Sequence, residues 1–222
     1  LFNCITLAKA VHPRFTPTCT HMKYLLTFLF AMFVCASGKA QTASEYTEEG
    51  LLSFITGEYE DAIAHFTKAI ALNPRDTTAF QVRAECREAL EDYQGAIADF
   101  TKAIELDPGN AELYSSRGYT RTYLKYYSGA IADYTKAIAL DPRNAGTYWL
   151  RGESRLFSKD YQNALADYNR AIEINPKYAS AYLFRGYALI MLGEKERGCQ
   201  EMNRSLQMGW KEAQEYINKY CR

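Results

Sequence analysis

Prolines stand at Pro74, Pro108, Pro142 and Pro176, each 34 residues after the one before and each preceded by Asn or Asp. This spacing is the strongest constraint on the fold. A chain that returns to the same residues at a fixed interval solves one packing problem several times, and the stable solution is a stack of like units, each burying its neighbour's apolar face. Four further columns keep the same step. Gly50, Ala84, Gly118, Gly152 and Gly186 form one, and Ala62, Ala96, Ala130, Ala164 and Gly198 another. Phe66, Phe100, Tyr134, Tyr168 and Met202 form the third, and Ala69, Ala103, Ala137, Ala171 and Ser205 the fourth.

Within a unit the periodicity is helical. The segments DAIAHFTKAIAL, GAIADFTKAIEL, GAIADYTKAIAL and NALADYNRAIEI repeat Ala, Ile and an aromatic residue at intervals of three and four, which places them on one face of an α-helix. A preceding helix opens near Tyr46, Phe80, Tyr114, Tyr148 and Tyr182. The Asx-Pro step ends the second helix, because proline disfavours α conformation in the residue before it and has no amide hydrogen to donate. Gly or Ala where the two helices cross lets their backbones approach, and the aromatic residue fills the adjoining gap.

This 34-residue helix-turn-helix resembles the tetratricopeptide-repeat (TPR) family over about residues 43–209, in the variant whose first helix carries Arg-Gly, here Arg117-Gly118, Arg151-Gly152 and Arg185-Gly186. The resemblance implies an all-α, right-handed α-solenoid of antiparallel helix pairs. Its units are 43–76, 77–110, 111–144, 145–178 and a degenerate 179–209, in which Trp210 takes the proline column and Lys195 the column of Tyr59, Tyr93, Tyr127 and Tyr161. Residues 210–222 then read as a capping helix, with Ala213, Tyr216, Ile217 and Tyr220 along one face.

The first 40 residues carry Lys9, Arg14, Lys23 and Lys39 and no acid. Lys23, the apolar run Tyr24 to Ala36 and the small-residue site Gly38-Lys39-Ala40 have the layout of an export signal over 22–40, and the run is shorter than the roughly 20 residues of a membrane span. A start at Met22 is expected, leaving 1–21 as upstream read-through with no assigned function. Lipidation at Cys35 is disfavoured by Val34 before it. Balanced totals of 26 basic and 26 acidic residues become 22 against 26 once the first 40 are removed, a formal charge of −4, which argues against nucleic-acid binding. The expectation is an exported protein, periplasmic or secreted, with no membrane span after removal of the signal.

Two charged columns run through the units: Arg83, Arg117, Arg151 and Arg185 on the first helix, and Asp99, Asp133, Asp167 and Glu201 on the second. The first unit has Glu49 and His65 instead, so the two columns change together. That points to structural ion pairs between the helices, worth about 0–1 kcal/mol each if exposed. Cys199 lies ten residues before Gly209 and Cys221 twelve after it, so antiparallel helices of similar length bring them side by side as a disulfide. Cys86 shares a mostly small-residue column and reads as a packed thiol.

Chemistry is not written in the sequence. His65 is the only histidine after residue 40, no cysteine cluster has metal-ligand spacing, and no HExxH, P-loop, GxSxG or GxGxxG occurs. No catalytic residue, metal or cofactor is expected. The resemblance places the first helices on the inner, concave wall. That wall would carry Ser115, Tyr119 and Tyr123, then Trp149, Glu153 and Phe157, then Leu183, Phe184, Tyr187 and Met191. In the second unit the same positions are Gln81, Val82, Glu85 and Glu88. From this set the candidate partner-binding residues are Tyr119, Tyr123, Trp149, Glu153, Phe157, Phe184 and Tyr187, against the alternative that the rings only fill space between helices. The Lys/Asn pair with which some TPR proteins hold a carboxylate has no counterpart here. The expected function is a non-enzymatic scaffold binding a protein or peptide segment in the groove. The alternatives are an envelope enzyme or enzyme subunit using concave carboxylates, or a structural spacer.

Overall fold

The computed structural model describes residues 41–222; the expected signal at 22–40 and the stretch 1–21 lie outside the described residues. From Ala43 onward the chain forms eleven described helices. They are α1 (Ala43–Thr56), α2 (Tyr59–Leu72), α3 (Thr77–Ala89), α4 (Tyr93–Leu106), α5 (Ala111–Tyr123), α6 (Tyr127–Leu140), α7 (Ala145–Phe157), α8 (Tyr161–Ile174), α9 (Ala179–Met191), α10 (Lys195–Gln207) and α11 (Ala213–Tyr220). Odd and even helices pair antiparallel, each pair packs on the next, and the result is an all-α solenoid. None of the described helices is long and apolar enough to cross a membrane.

Local chemistry sets the helix ends. Asp76, Asn110 and Asn144 cap α3, α5 and α7 by accepting from the amides of Ala79, Glu112 and Thr147, satisfying donors that the first turn leaves open. Three of the four Asx residues before proline also fold back, Asn73 Oδ1 accepting from the Arg75 amide at 3.2 Å, Asp141 Oδ1 from that of Arg143 at 3.1 Å and Asn175 Oδ1 from that of Lys177 at 3.1 Å. The turn from first to second helix needs one residue of left-handed backbone, at positions 57, 91, 125, 159 and 193. Glycine supplies it at Gly57 and Gly193, whereas Glu91, Lys125 and Lys159 hold φ of 62°, 61° and 64° at some steric cost.

The core follows the small-against-large columns. Phe66, Phe100, Tyr134 and Tyr168 are fully buried, with Ala62, Ala96, Ala130 and Ala164 beside them. A methyl added at Gly118 would lie 2.9 Å from Tyr134 Cε1, and one at Gly152 2.8 Å from Tyr168 Cε1, so the helix crossing admits only hydrogen at these points. In the degenerate unit a methyl at Gly186 would meet the Gly198 carbonyl at 2.6 Å; two glycines there bring the α9 and α10 backbones into direct contact.

The charged columns join, and are stronger than their sequence suggests. Arg117 donates through Nε and Nη2 to the two oxygens of Asp133 at 3.0 and 2.7 Å, and Arg121, one turn on, adds a third bond at 2.6 Å. Asp99 receives Arg83 and Arg87 in the same way, and Asp167 receives Arg151 and Arg155. The aspartates are 3–5% exposed, so the low value expected of exposed pairs is corrected: these are buried, forked, charge-assisted bonds. Each first-column Arg also reaches back to the preceding unit, donating to Thr67, Thr101, Thr135 or Asn169. It lies over the ring of Phe80, Tyr114, Tyr148 or Tyr182 at 5.1–5.9 Å. In the first unit the polarity is reversed, with His65 Nδ1 3.1 Å from Glu49.

At the far end α11 closes the stack. Ala213 is buried against Leu183 and Met202, with Tyr216, Ile217 and Tyr220 around them, and Cys199 and Cys221 are bonded with Cα atoms 5.7 Å apart. Lys195 Nζ donates to the Arg222 carbonyl at 3.0 Å. Cys86 is fully buried, and burial pushes its thiol from an ordinary 9.0 up to about 12.

Candidate functional site

The first helices that the sequence singles out do not present all their candidate residues alike. Val82 and Leu183 are withdrawn into the core, 8% and 1% exposed, so the expectation that they line an open wall is corrected: Val82 lies in the cluster of the first unit's Phe66, and Leu183 in that of Met202 of its own unit and Ala213 of the cap. Tyr123 and Phe157 are half exposed, at 56% and 50%, and occur at the same place in successive units, the end of the first helix. There each ring lies against the tyrosine that opens the second helix of the unit before. Tyr123 stacks on Tyr93 at 5.4 Å, and Phe157 sits 5.7 Å from Tyr127. Tyr119, also exposed, donates its hydroxyl to that of Tyr123 at 3.2 Å.

Trp149 and Phe184 divide between packing and surface. Their rings meet edge to face at 5.8 Å between α7 and α9, which makes them spacers between first helices. Each still lines a cleft: both border a shallow one with Lys177, Tyr178 and Trp210. The Trp149 indole nitrogen is buried there without a hydrogen-bond partner.

Glu153, Phe157, Phe184 and Tyr187 come together in a cavity of about 490 Å³ between α7, α9 and the cap. The rest of its lining was not legible as a site from sequence: Leu156 and Lys159 at the end of α7 and the turn after it, Tyr161 from the start of α8, and Glu215, Tyr216, Lys219 and Tyr220 from α11. The apolar stripe Ala213, Tyr216, Ile217 and Tyr220 is visible in the sequence, but it reads only as the adhesive face of a cap. In the structure two of those rings do double service. Tyr187 packs edge-on against Tyr216 and Tyr220 at 5.9 and 5.2 Å, and both also line the cavity.

The arginines of the first helices are held by the second helices, whereas two glutamates of the first helices, Glu88 and Glu153, are not ion-paired among the described residues. All seven arginines on α3, α5, α7 and α9 are bound to acids of the even helices: Arg83 and Arg87, Arg117 and Arg121, Arg151 and Arg155, and Arg185. These seven guanidinium groups share four carboxylates, Asp99, Asp133, Asp167 and Glu201. Glu88 accepts from Thr120, and burial raises its pKa above the usual carboxylate value. Glu153 has neither hydrogen bond nor ion pair among the described residues, and burial alone raises its pKa, with no neighbouring cation offsetting it. On α8, the Tyr168 hydroxyl is buried without a partner and feels the charge of Glu153. In the preceding unit the equivalent hydroxyl, that of Tyr134, lies 3.5 Å from Thr122, a position that Leu156 takes beside Tyr168.

No group of three or more potential metal ligands occurs among the described residues. Models of three repeat families match the sequence. Two described as tetratricopeptide repeat cover residues 49–111 and 111–144, and one described as TPR repeat covers 158–193. No curated protein matches the chain. Among solved structures, one of MamA is 22% identical with a TM-score of 0.71, over 80% of this chain and 94% of that one. Residues 41 to the end of MamA from Desulfovibrio magneticus RS-1 give 16% and 0.73, over 77% and 96%. YrrB, described as a TPR protein with an unusual peptide-binding site, gives 20% and 0.67, over 75% and 86%. At these identities the likeness is one of fold.

Proposed function

Because the chain belongs to the tetratricopeptide-repeat family, whose solenoids serve as protein-interaction scaffolds, we propose that it is an exported, non-enzymatic scaffold holding a peptide or helical segment on the face of its first helices. The observation that carries this reading is the run of exposed rings Tyr119, Tyr123 and Phe157, which ends at the cavity under the cap. Exposed aromatic side chains beside a concavity are the usual anchors of a protein interface, because they bury much area while losing few rotamers. A solenoid serving only as a spacer has no need of them. YrrB offers a precedent in its fold class, being described as carrying a peptide-binding site. Export rests on the acid-free segment 22–40 and its signal-like layout.

The test is cross-linking in the native cells followed by mass spectrometry, comparing the full chain with a Tyr123→Ala, Phe157→Ala variant. These two positions are preferred to Trp149 because they are half exposed, so each truncation removes ring contacts at the surface and no buried side chain. A partner recovered with the native chain and lost with the folded variant supports the scaffold reading. Unchanged recovery moves the binding surface elsewhere. Fractionation of the same cells tests export: a chain that begins at Gln41 outside the cytoplasm supports it, and one found in the cytoplasm with the first 40 residues attached removes it.

A further inference from the structure

We infer that the cavity beneath the cap is a receptor for one basic side chain, lysine or arginine, of a bound peptide, with Glu153 as its counter-ion and the surrounding rings as its walls. The inference rests on the peptide-binding reading above and adds what the peptide must carry.

Three observations converge on it. Glu153 is a carboxylate on the middle of α7 with no partner among the described residues, although the seven arginines of the first helices are each bound to an acid. Its partial burial disfavours the ionised form, and a cation that reaches the carboxylate offsets that cost. The walls are also of the right kind. Phe157, Tyr161, Phe184, Tyr187, Tyr216 and Tyr220 line the cavity, and aromatic faces attract ammonium and guanidinium groups through the ring quadrupole. The molecule shows this chemistry on its own rim, where Lys219 Nζ sits 5.1 Å over the Tyr220 ring. Finally, the cavity of about 490 Å³ lies in the range of sites that enclose a small ligand group.

The other charges that line it are Lys159, Lys219 and Glu215. Lys219 and Glu215 lie on the exposed side of α11, and Lys159 on the exposed turn after α7. None of them relieves Glu153, whose carboxyl responds to burial only. One carboxylate thus lies inside while two lysines and one glutamate stand at the mouth, an arrangement that repels a compact cation and admits a long side chain whose charged tip passes the mouth to reach Glu153. Lysine and arginine have that shape, with an apolar stem to lie along the rings.

The test selects random linear peptides, by display, on the full chain and on Glu153→Gln, which keeps the side chain's size. Binding of one selected peptide is then measured by fluorescence anisotropy, alongside a version with its basic residue replaced by norleucine. The expected result is enrichment of a Lys or Arg flanked by apolar residues on the native chain. Glu153→Gln should retain the apolar preference and lose the basic one, and both Glu153→Gln and the norleucine peptide should bind about tenfold or more weakly. The norleucine comparison leaves the protein unaltered, so it does not depend on how the variant folds. Peptides enriched with no basic residue, with acidic residues that answer to Lys159 and Lys219, or with a basic residue still preferred by Glu153→Gln would overturn the inference and leave the groove reading standing. A folded native chain that enriches no peptide removes both.

Discussion

Asp133 sits at the middle of the solenoid and takes three bonds from two arginines, so its replacement measures what the buried charge lattice is worth. Asp133→Asn keeps the volume and removes the charge. The carboxylate is 5% exposed, and Arg117 and Arg121, at 13% and 25%, have little water to fall back on. Breaking a buried pair by removing one partner costs about 3–5 kcal/mol, since it strands the other charge. Here the arginines retain some solvent and the amide oxygen still accepts, which places the expected loss at or just below that range, about 2–3 kcal/mol. Glu201→Gln is the internal control: Glu201 holds Arg185 alone, the side chains are 22% and 17% exposed, and about 1 kcal/mol is expected. The assay is urea denaturation followed by far-ultraviolet circular dichroism and by tryptophan fluorescence. Both tryptophans, Trp149 and Trp210, lie C-terminal to the α5–α6 pair, so the two signals should separate if the central unit is weakened enough to uncouple its neighbours. An Asp133→Asn loss under about 1 kcal/mol, or one no larger than that of Glu201→Gln, would refute the claim that burial rather than charge count sets the value of these pairs.

Reduction of Cys199–Cys221, which spans 22 residues, should lower stability by about 3 kcal/mol on the loop-entropy estimate, read as a fall in melting temperature with reductant or in a Cys199→Ser, Cys221→Ser variant. Tyr168→Phe removes a buried hydroxyl that has no partner and should be neutral or stabilising by up to about 1 kcal/mol, whereas Tyr134→Phe, whose hydroxyl lies near Thr122, should show no gain; denaturant midpoints compare the two. Cys86 should resist alkylation in the folded protein and react on unfolding, as followed by mass spectrometry of its peptide. Its thiol also sets a sign for alkaline stability. Below pH 9.0 both folded and unfolded chains keep the proton, and between 9.0 and about 12 only the folded one does, so Cys86 makes stability fall as pH rises through that window and Cys86→Ala should flatten the fall.

Several features of the fold were legible because the sequence repeats. Comparison of one unit with the next shows that Arg and Asp columns exchange together with Glu49 and His65, and the pairing across the helices follows from it. The second arginine column, Arg87, Arg121 and Arg155, was equally visible at the same 34-residue step, but its meaning was not, because one acid serving two arginines is a matter of reach and burial rather than of spacing. Of the candidate wall, spacing alone could not separate Leu183, buried against Met202, from its neighbour Phe184, which reaches a cavity. Adjacent residues on a helix point about 100° apart, and the neighbouring unit decides which of the two is covered.

The sequence by itself therefore determines the unit, the helix pair, its turns and its small-against-large crossing, since all of these are local or repeat at a fixed step. Only the tertiary structure decided that the cap brings Tyr216 and Tyr220 to Tyr187, and that Glu153 is left unpaired while every first-helix arginine finds an acid. The reason is physical. A repeat specifies contacts that recur, whereas the site lies where the repetition ends, and the degenerate unit and α11 meet the regular ones through contacts that occur once.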